Sequence, residues 1–401
     1  MTGNEKPAPH ADASAGPARL RVIMWGSYDL GKPRTRIIRK AFDAAGLDIC
    51  EIHFDPWRGV EDKSQLKSRL SMGLIALRLL FHYPELILRY LLAGPHDAVF
   101  VGYMGVLDVL LIAPFARLRG KPVVWDAFLS VYDTTVVDRG LLDPASLRAR
   151  LIRRVEGAAC RLADLVVLDT QAHADLMAGL HEPGSARFRA VMVGCEEGFR
   201  PLASSAPDGA PLDILFYGQF IPLHGIETIV RAAQASTERG WTWTLIGKGQ
   251  ESAKIDRMLE EADSPHIRRI EWVPYARLAE AVAGADICLG IFGGSAKAAS
   301  VIPNKVFQIL AAGKPLVTRA SPAMRELVDG EDKGLYLVPP SDPDALLRAL
   351  DKFERDRAAL ASPLHERFCT RFALPRLAAQ WRGLFEEVAG RAAVPHEGRA
   401  G

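Results

Sequence analysis

Three loops in the second half of the 401-residue chain carry residue types suited to an anionic leaving group. In YGQFIPLHGIETI (217–229), Gly218 and Gln219 close an apolar run, and His224-Gly225 precedes a helical pattern. The free backbone N–H groups at such a helix start suit a phosphate. Taken alone, the same residues also read as a strand-to-helix turn with a surface histidine. In LIGKGQES (245–252), Gly247 and Gly249 form a GxG turn over which a ligand can approach the backbone. Ser252 stands where a dinucleotide fingerprint has its third glycine, so that fingerprint is incomplete. In GIFGGSAKAASVIPNKVFQILAAGKPLVT (290–318), Lys297 lies in a small-residue loop. Asn304 and Lys305 then open a helix on which Lys305 and Gln308 share a face. Lysines at a loop and a helix start make a site for a diphosphate; the alternative is two solvated lysines.

The first half offers a different chemistry. GSYDLGKPRTR places Gly26, Gly31 and Arg34 after an apolar run, where they would form an acceptor-facing or phosphate-facing lip. VVWDAFLSVYDTTVVDRG puts Asp126 just beyond another run, followed by Tyr132, Asp133 and Asp138. A carboxylate there would orient an acceptor hydroxyl or take its proton; each aspartate also reads as a turn or cap residue. His173, in DTQAH, falls at a helix start and is given no role.

These residues need a scaffold, and the hydrophobic periodicity supplies one. Short β-branched runs (LRVIMWG, LDICEIHF, AVFVGY, KPVVWD, DLVVLDT) alternate with helical patterns through the first half. PLASSAPDGAP (201–211) interrupts the rhythm as a linker would. The alternation then restarts with DILFYG, WTWTLIG, IRRIEWV, DICLGIF, PLVTR and LYLVPP. The pattern predicts an α/β protein of two doubly wound, Rossmann-like domains facing across a cleft. Its parts are a disordered tail at 1–19, a first domain at 20–200, the linker at 201–211, a second domain at 212–372, a closing helix at 373–390 and a tail at 391–401. In such sheets ligands bind beyond the carboxyl ends of the strands, where the loops above lie.

Composition narrows the class. Hydrophobic residues make up 49%, enough for two cores, and a net charge of +2 argues against nucleic-acid binding by bulk charge. The five cysteines are scattered singly, without zinc-like spacing or a disulfide framework. No run reads as a signal peptide or membrane span, so a cytoplasmic location is expected. Residues 66–92 carry Lys67, Arg69, Arg78 and Arg89 against Glu85. They read either as a core helix with a solvated basic edge or as a basic amphipathic helix lying on the inner face of a membrane. Asp342-Pro343-Asp344 has the DxD form of metal-using transferases, but its place at a helix start makes it a cap.

Taken in order, FYGQF, IGKGQE, ADICLGIF and ILAAGKPLV resemble the donor domain of glycosyltransferase family 4, a GT-B family, over about Asp213 to Val328. The sequence is closer to a bacterial branch with GQFIPLHGIE and PNKVFQ motifs. Where the family has Arg and Lys in the first loop, Gln219 and His224 stand here; its paired glutamates fall on Ser300 and Gln308. The resemblance implies a retaining, metal-independent hexosyltransferase with no bound cofactor. Its co-substrate would be a nucleoside-diphosphate sugar, its acceptor a glycan or lipid-linked hydroxyl, and its setting the synthesis of surface glycan or glycolipid. It implies donor contacts at Gly218, Gln219, His224, Gly225, Gly249, Lys297, Asn304 and Lys305, the ribose on Gln308, and the base against Val273 and Tyr275. The rivals are a nucleotide-sugar epimerase, a non-catalytic sugar-nucleotide-binding subunit and, less well matched, an NAD-dependent oxidoreductase.

Overall fold

The structure, a computed structural model, describes residues 19–56, 69–181, 187–201, 211–262, 264–360 and 364–393. The expected tails and linker lie almost wholly outside these, as does the start of the 66–92 segment. The first domain runs β1 (Arg21–Gly26), α1 (Pro33–Ala44), β2 (Asp48–His53), α2 (Arg69–Leu91), β3 (Ala98–Val101), α3 (Val106–Leu118), β4 (Val123–Phe128), α4 (Leu147–Leu162), β5 (Leu165–Leu168), α5 (Gln171–His181) and β6 (Phe188–Ala190). A π-helical segment, Asp133–Asp138, follows β4. The second domain runs β7 (Asp213–Tyr217), α6 (Ile226–Gln234), β8 (Thr242–Ile246), α7 (Ser252–Glu261), β9 (Ile267–Ile270), α8 (Tyr275–Gly284), β10 (Ile287–Leu289), α9 (Ala296–Ser300), α10 (Asn304–Ala311), β11 (Leu316–Arg319), α11 (Pro322–Leu327), β12 (Leu335–Val338), α12 (Pro343–Asp356) and α13 (Glu366–Cys369), before α14 (Leu374–Ala393).

Each domain holds a six-stranded sheet, ordered β2-β1-β3-β4-β5-β6 and β12-β11-β10-β7-β8-β9. All the pairings are parallel. Strand order reverses around β1 in one sheet and β7 in the other, and these reversals open the crevices in which α/β sheets take ligands. The alternation read from the sequence is this architecture; β6, three residues long, carries too short a pattern to have been found. Asp342 accepts from the Ala345 amide at 2.8 Å and caps α12, with Pro343 at its first position.

The chain does not end in the second domain. On α14, Leu377, Trp381, Phe385 and Val388 recur at helical spacing and are buried. They pack on the first sheet, where Phe42 meets Phe100 at 5.0 Å and Trp381 at 5.5 Å, both edge-on. Arg382 donates to the Ala45 carbonyl at 3.0 Å, and Arg189 pairs with Glu387 at 2.8 Å. The predicted closing helix is therefore present, extended to Ala393. α1 and α14 cover one face of the first sheet. Leu86, Tyr90, Ile112, Cys160 and Met177, from α2 to α5, cover the other.

Candidate functional site

Lys305, on the first turn of α10, is buried like Lys297, Lys314 and Arg319, but of these four cations it alone lacks a hydrogen-bond partner. Its ammonium lies 3.8 Å over the Phe216 ring and has no hydrogen-bond partner. Burial pushes its pKa well below the ordinary lysine value. Gly218, just after β7 at φ +141°, lets this side chain close in: a Cβ there would stand 2.7 Å from Nζ and 3.1 Å from His224 Cε1. His224 donates from Nδ1 to the Gln219 carbonyl. Burial, reinforced by the Lys305 charge, pushes its pKa well down, so the ring is neutral. Gly225, at φ +63°, turns the chain into α6, whose N-terminus faces the same region.

The loops after β7, β8 and β10 meet backbone to backbone. A Cβ on Gly249 would come within 2.5 Å of the Phe220 carbonyl, and one on Gly225 within 2.6 Å of the Gly293 amide. Gly247 is tighter still, at φ +145° with the Gly218 carbonyl 1.8 Å from where a Cβ would sit. Gly247→Ala is expected to cost about 1–3 kcal/mol in backbone strain alone and to pull Gly218 away from Lys305. Thermal denaturation and a nucleotide titration of the same preparation check this; an unchanged melting temperature would be the contrary result.

The first domain supplies the opposite wall. Lys297, on α9, reaches across the cleft to Asp133 at 3.6 Å and donates to Thr134. Its ammonium is thus a bridge between domains, not the free diphosphate cation expected from sequence. Ser295 donates to Asp138 at 2.8 Å, and Gln250 to the Arg139 carbonyl at 2.9 Å. Arg139, overlooked in the sequence, ends the π-helical segment and donates to the Gln219 side chain at 3.4 Å. Its Nε is buried without a partner. The signal was present as the Arg-Gly that follows Asp138, the last of the aspartates.

Two further expectations are corrected. Asp126 lies within β4, paired with Val167, not just beyond a strand end, and it and Arg34 are each 1% exposed and held to one another. Arg34 Nη2 stands 2.6 Å from Asp126 Oδ1, Nε lies 3.2 Å from both oxygens, and Nη1 donates to the Val191 carbonyl at 2.7 Å. Asp126 is therefore the anion of a buried pair, not an acceptor base. Arg34 belongs to α1, not to a loop, because Pro33 starts that helix three residues before the helical periodicity shows at Arg36. Gly26 is the last residue of β1 and Gly31 lies in the loop after it, each with a local duty. A Cβ on Gly26 would meet the Asp108 carboxyl at 2.8 Å, and the Gly31 amide donates to Asp29 at 2.9 Å. Burial pushes Asp108 up to about 6.

Gln308 also has both ends of its amide engaged. Tyr217 donates to Oε1 at 2.9 Å, Nε2 donates to the Tyr275 hydroxyl at 2.8 Å, and Tyr275 donates to Glu196 of the first domain. Burial alone would raise the Glu196 carboxyl, but hydrogen bonds from Arg36 and Tyr275 outweigh it and hold the pKa below its ordinary value. The nearby Val273 lines a 550 Å³ cavity with Ile246, Ile270, Pro274 and Arg277. Asn304 heads α10, half-buried. Ser300 turns its hydroxyl to the Lys297 carbonyl at 3.0 Å.

Among the described residues, six buried side-chain polar atoms lack a hydrogen-bond partner: Asp133 Oδ2, which has only the 3.6 Å ion pair to Lys297, Arg139 Nε, His173 Nε2, Glu251 Oε2, Lys305 Nζ and Gln380 Oε1. Only Gln380, on α14, lies away from the cleft. Buried polar groups are nearly always paired, so this concentration marks the cleft as the site. His173 joins it with Nδ1 held at 2.6 Å by Asp169, a place that its position at a helix start does not announce.

Residues 211–356 match the family model described as Glycosyl transferases group 1. No curated protein matches the sequence. Among solved structures, sucrose-phosphate synthase from Thermosynechococcus elongatus aligns with a TM-score of 0.68 at 18% identity, covering 93% of this chain and 100% of that one. Anabaena HepE, in complex with UDP and glucose, aligns at 0.62 and 12% identity over 92% and 100%. The lipopolysaccharide outer core galactosyltransferase WaaB, in its apo form, aligns at 0.60 and 13% identity over 92% and 99%. The fold is thus GT-B along nearly the whole chain, with the family match confined to the second domain.

Proposed function

We propose that this protein transfers a sugar from a nucleoside-diphosphate sugar to a hydroxyl acceptor. The observation that carries the reading is the unpartnered, buried ammonium of Lys305. It lies beside His224 and the start of α6, with Arg139 across the cleft. An anion docking there would give the ammonium its missing partner. A leaving diphosphate gathers charge as its bond to the anomeric carbon breaks, and preorganised cations stabilise that charge most in a dry cleft. Arg139 comes from the other domain, so the charge would be completed only when the cleft is shut. The match to Glycosyl transferases group 1 over the domain holding Lys305, and the UDP named in the HepE complex, support a nucleotide sugar as donor.

In this reading the base lies near Val273 and Tyr275, and the ribose reaches Gln308 by displacing one of its two tyrosine contacts. Retention of anomeric configuration follows the family 4 resemblance, as does a hexosyl donor used in making a surface glycan or glycolipid. Lys305, Arg139 and the α6 N-terminus supply the electrostatic stabilisation, so the reaction needs no bound metal. Turnover in excess chelator is expected to equal that in buffer; loss of turnover restored by Mg²⁺ or Mn²⁺ would overturn this part.

The test is calorimetric titration with a series of nucleoside diphosphates, followed by donor turnover with and without acceptors. Binding with turnover is the expected result. Binding without any turnover would assign the chain to a sugar-nucleotide-binding subunit. Epimerised donor in place of transfer would assign it to an epimerase, and no binding across the series would sink the reading.

A further inference from the structure

The outer face of α2, α3 and α4 has a composition unlike the rest of the molecule. Among the described residues fourteen large apolar side chains lie exposed, and eleven belong to the first domain. Eight of these sit on or just beyond the three helices, including Leu92 at 77%, Leu118 at 83% and Leu147 at 77% exposure. The helices stand side by side. Arg119, just past α3, donates to the Tyr90 and Ala93 carbonyls at 2.7 and 2.8 Å, and Arg117 to the Leu162 carbonyl at 3.4 Å. Their exposed residues therefore form one surface.

The charge on that surface has one sign. The three helices contain three acids, of which Asp108 and Glu156 are buried, leaving Glu85 outside. Against it stand Arg78, Arg89, Arg117, Arg148, Arg150, Arg153, Arg154 and Arg161, all exposed. Arg148, Arg150 and Arg154 have no acidic partner among the described residues. On α4, Leu147, Leu151, Arg154 and Arg161 follow one helical stripe. Arg150, Arg153, Arg154 and Arg161 border a 380 Å³ recess with Gly157 and Leu180.

We infer that this face docks on a bilayer surface bearing anionic headgroups. Exposed leucines and phenylalanine would enter the acyl boundary while arginines hold the headgroups, as in interfacial helices. The surface is wider than the single segment at 66–92 and is centred on α4. It also leads to the cleft: Met104, Leu107, Val137 and Leu141, on the loops and helix starts at the carboxyl ends of the strands, are exposed too. A lipid-borne hydroxyl would thus arrive beside the opposite wall from Lys305. Docking itself does not depend on sugar transfer and is tested separately.

The experiment is co-sedimentation of the full chain with vesicles of phosphatidylcholine alone or mixed with phosphatidylglycerol, at low and high salt. Expected is binding to the mixed vesicles only, reversed by salt. Arg150→Gln with Arg154→Gln should weaken it on the order of 30-fold, at about fivefold per charge. Leu147→Ser with Leu151→Ser should weaken it as well. Both double variants change exposed side chains, so melting temperature and nucleotide affinity should stay at wild-type values. Absence of binding to the mixed vesicles, or equal binding by the arginine variant, would overturn the inference. Concentration-dependent dimerisation abolished by the leucine variant, without vesicle binding, would assign the face to a second copy of this chain.

Discussion

Lys305→Met is expected to move two measurements in opposite directions. Nucleoside-diphosphate affinity should fall by about 1.5–3 kcal/mol, the worth of a charge-assisted hydrogen bond. The melting temperature of the unliganded protein should rise, because methionine fills the space beside Phe216 without burying an unpaired ammonium. The pH dependence follows from the depressed pKa. Between the folded-state value and the ordinary 10.5 the unfolded chain binds the proton that the folded one has lost, so wild-type stability rises with pH across that window. The penalty is complete below the folded-state value and gone above 10.5. The gain from methionine should therefore be full at acid pH and vanish in alkali. Diphosphate binding has the complementary sign: it takes up a proton wherever Lys305 is neutral, and weakens as pH rises. Calorimetric titration in buffers of different ionisation heat measures that uptake. Equal affinity and equal melting temperature in the variant would show Lys305 to be an ordinary solvated residue.

Asp126→Asn should be the most damaging single change to the first domain. It leaves the Arg34 guanidinium buried with its counter-charge removed, which typically costs about 3–5 kcal/mol. For a domain of this size that is a fall of roughly 10 °C in melting temperature. Turnover per folded molecule should stay near wild type, since both partners are buried and held to one another. Arg34→Met combined with Asp126→Asn should recover much of the loss, because the pair is then replaced rather than broken. Thermal denaturation paired with a transfer assay separates the cases. An unchanged melting temperature with turnover reduced on the order of 10²-fold would return Asp126 to the catalytic machinery.

These two residues show what the sequence could and could not reveal. Strand ends and helix starts are local, written in glycines, prolines and the period of apolar residues. The loops around Gly218, Gly249 and Lys305 were therefore located correctly, and so was the closing helix. What a side chain meets across a fold is not local. Asp126 and Arg34 each read as cleft residues, and only the packing of α1 against β4 shows that they neutralise each other. Lys297 was expected to serve a ligand and serves Asp133 instead. Arg139 went unnoticed because its neighbour, Gln219, lies in the other domain.

The position of α14 has a consequence for synthesis. The first sheet is complete once β6 has emerged, yet the apolar face holding Phe42 and Phe100 is covered by residues near the very end of the chain. At about 5–20 residues per second, translation of the intervening two hundred or so residues takes roughly 10–40 s. Throughout that interval the nascent first domain presents an uncovered aromatic surface to its surroundings. Its dwell time on the ribosome is a window for chaperone capture, and a ribosome that stalls after β12 leaves a product with both sheets finished and no roof over the first.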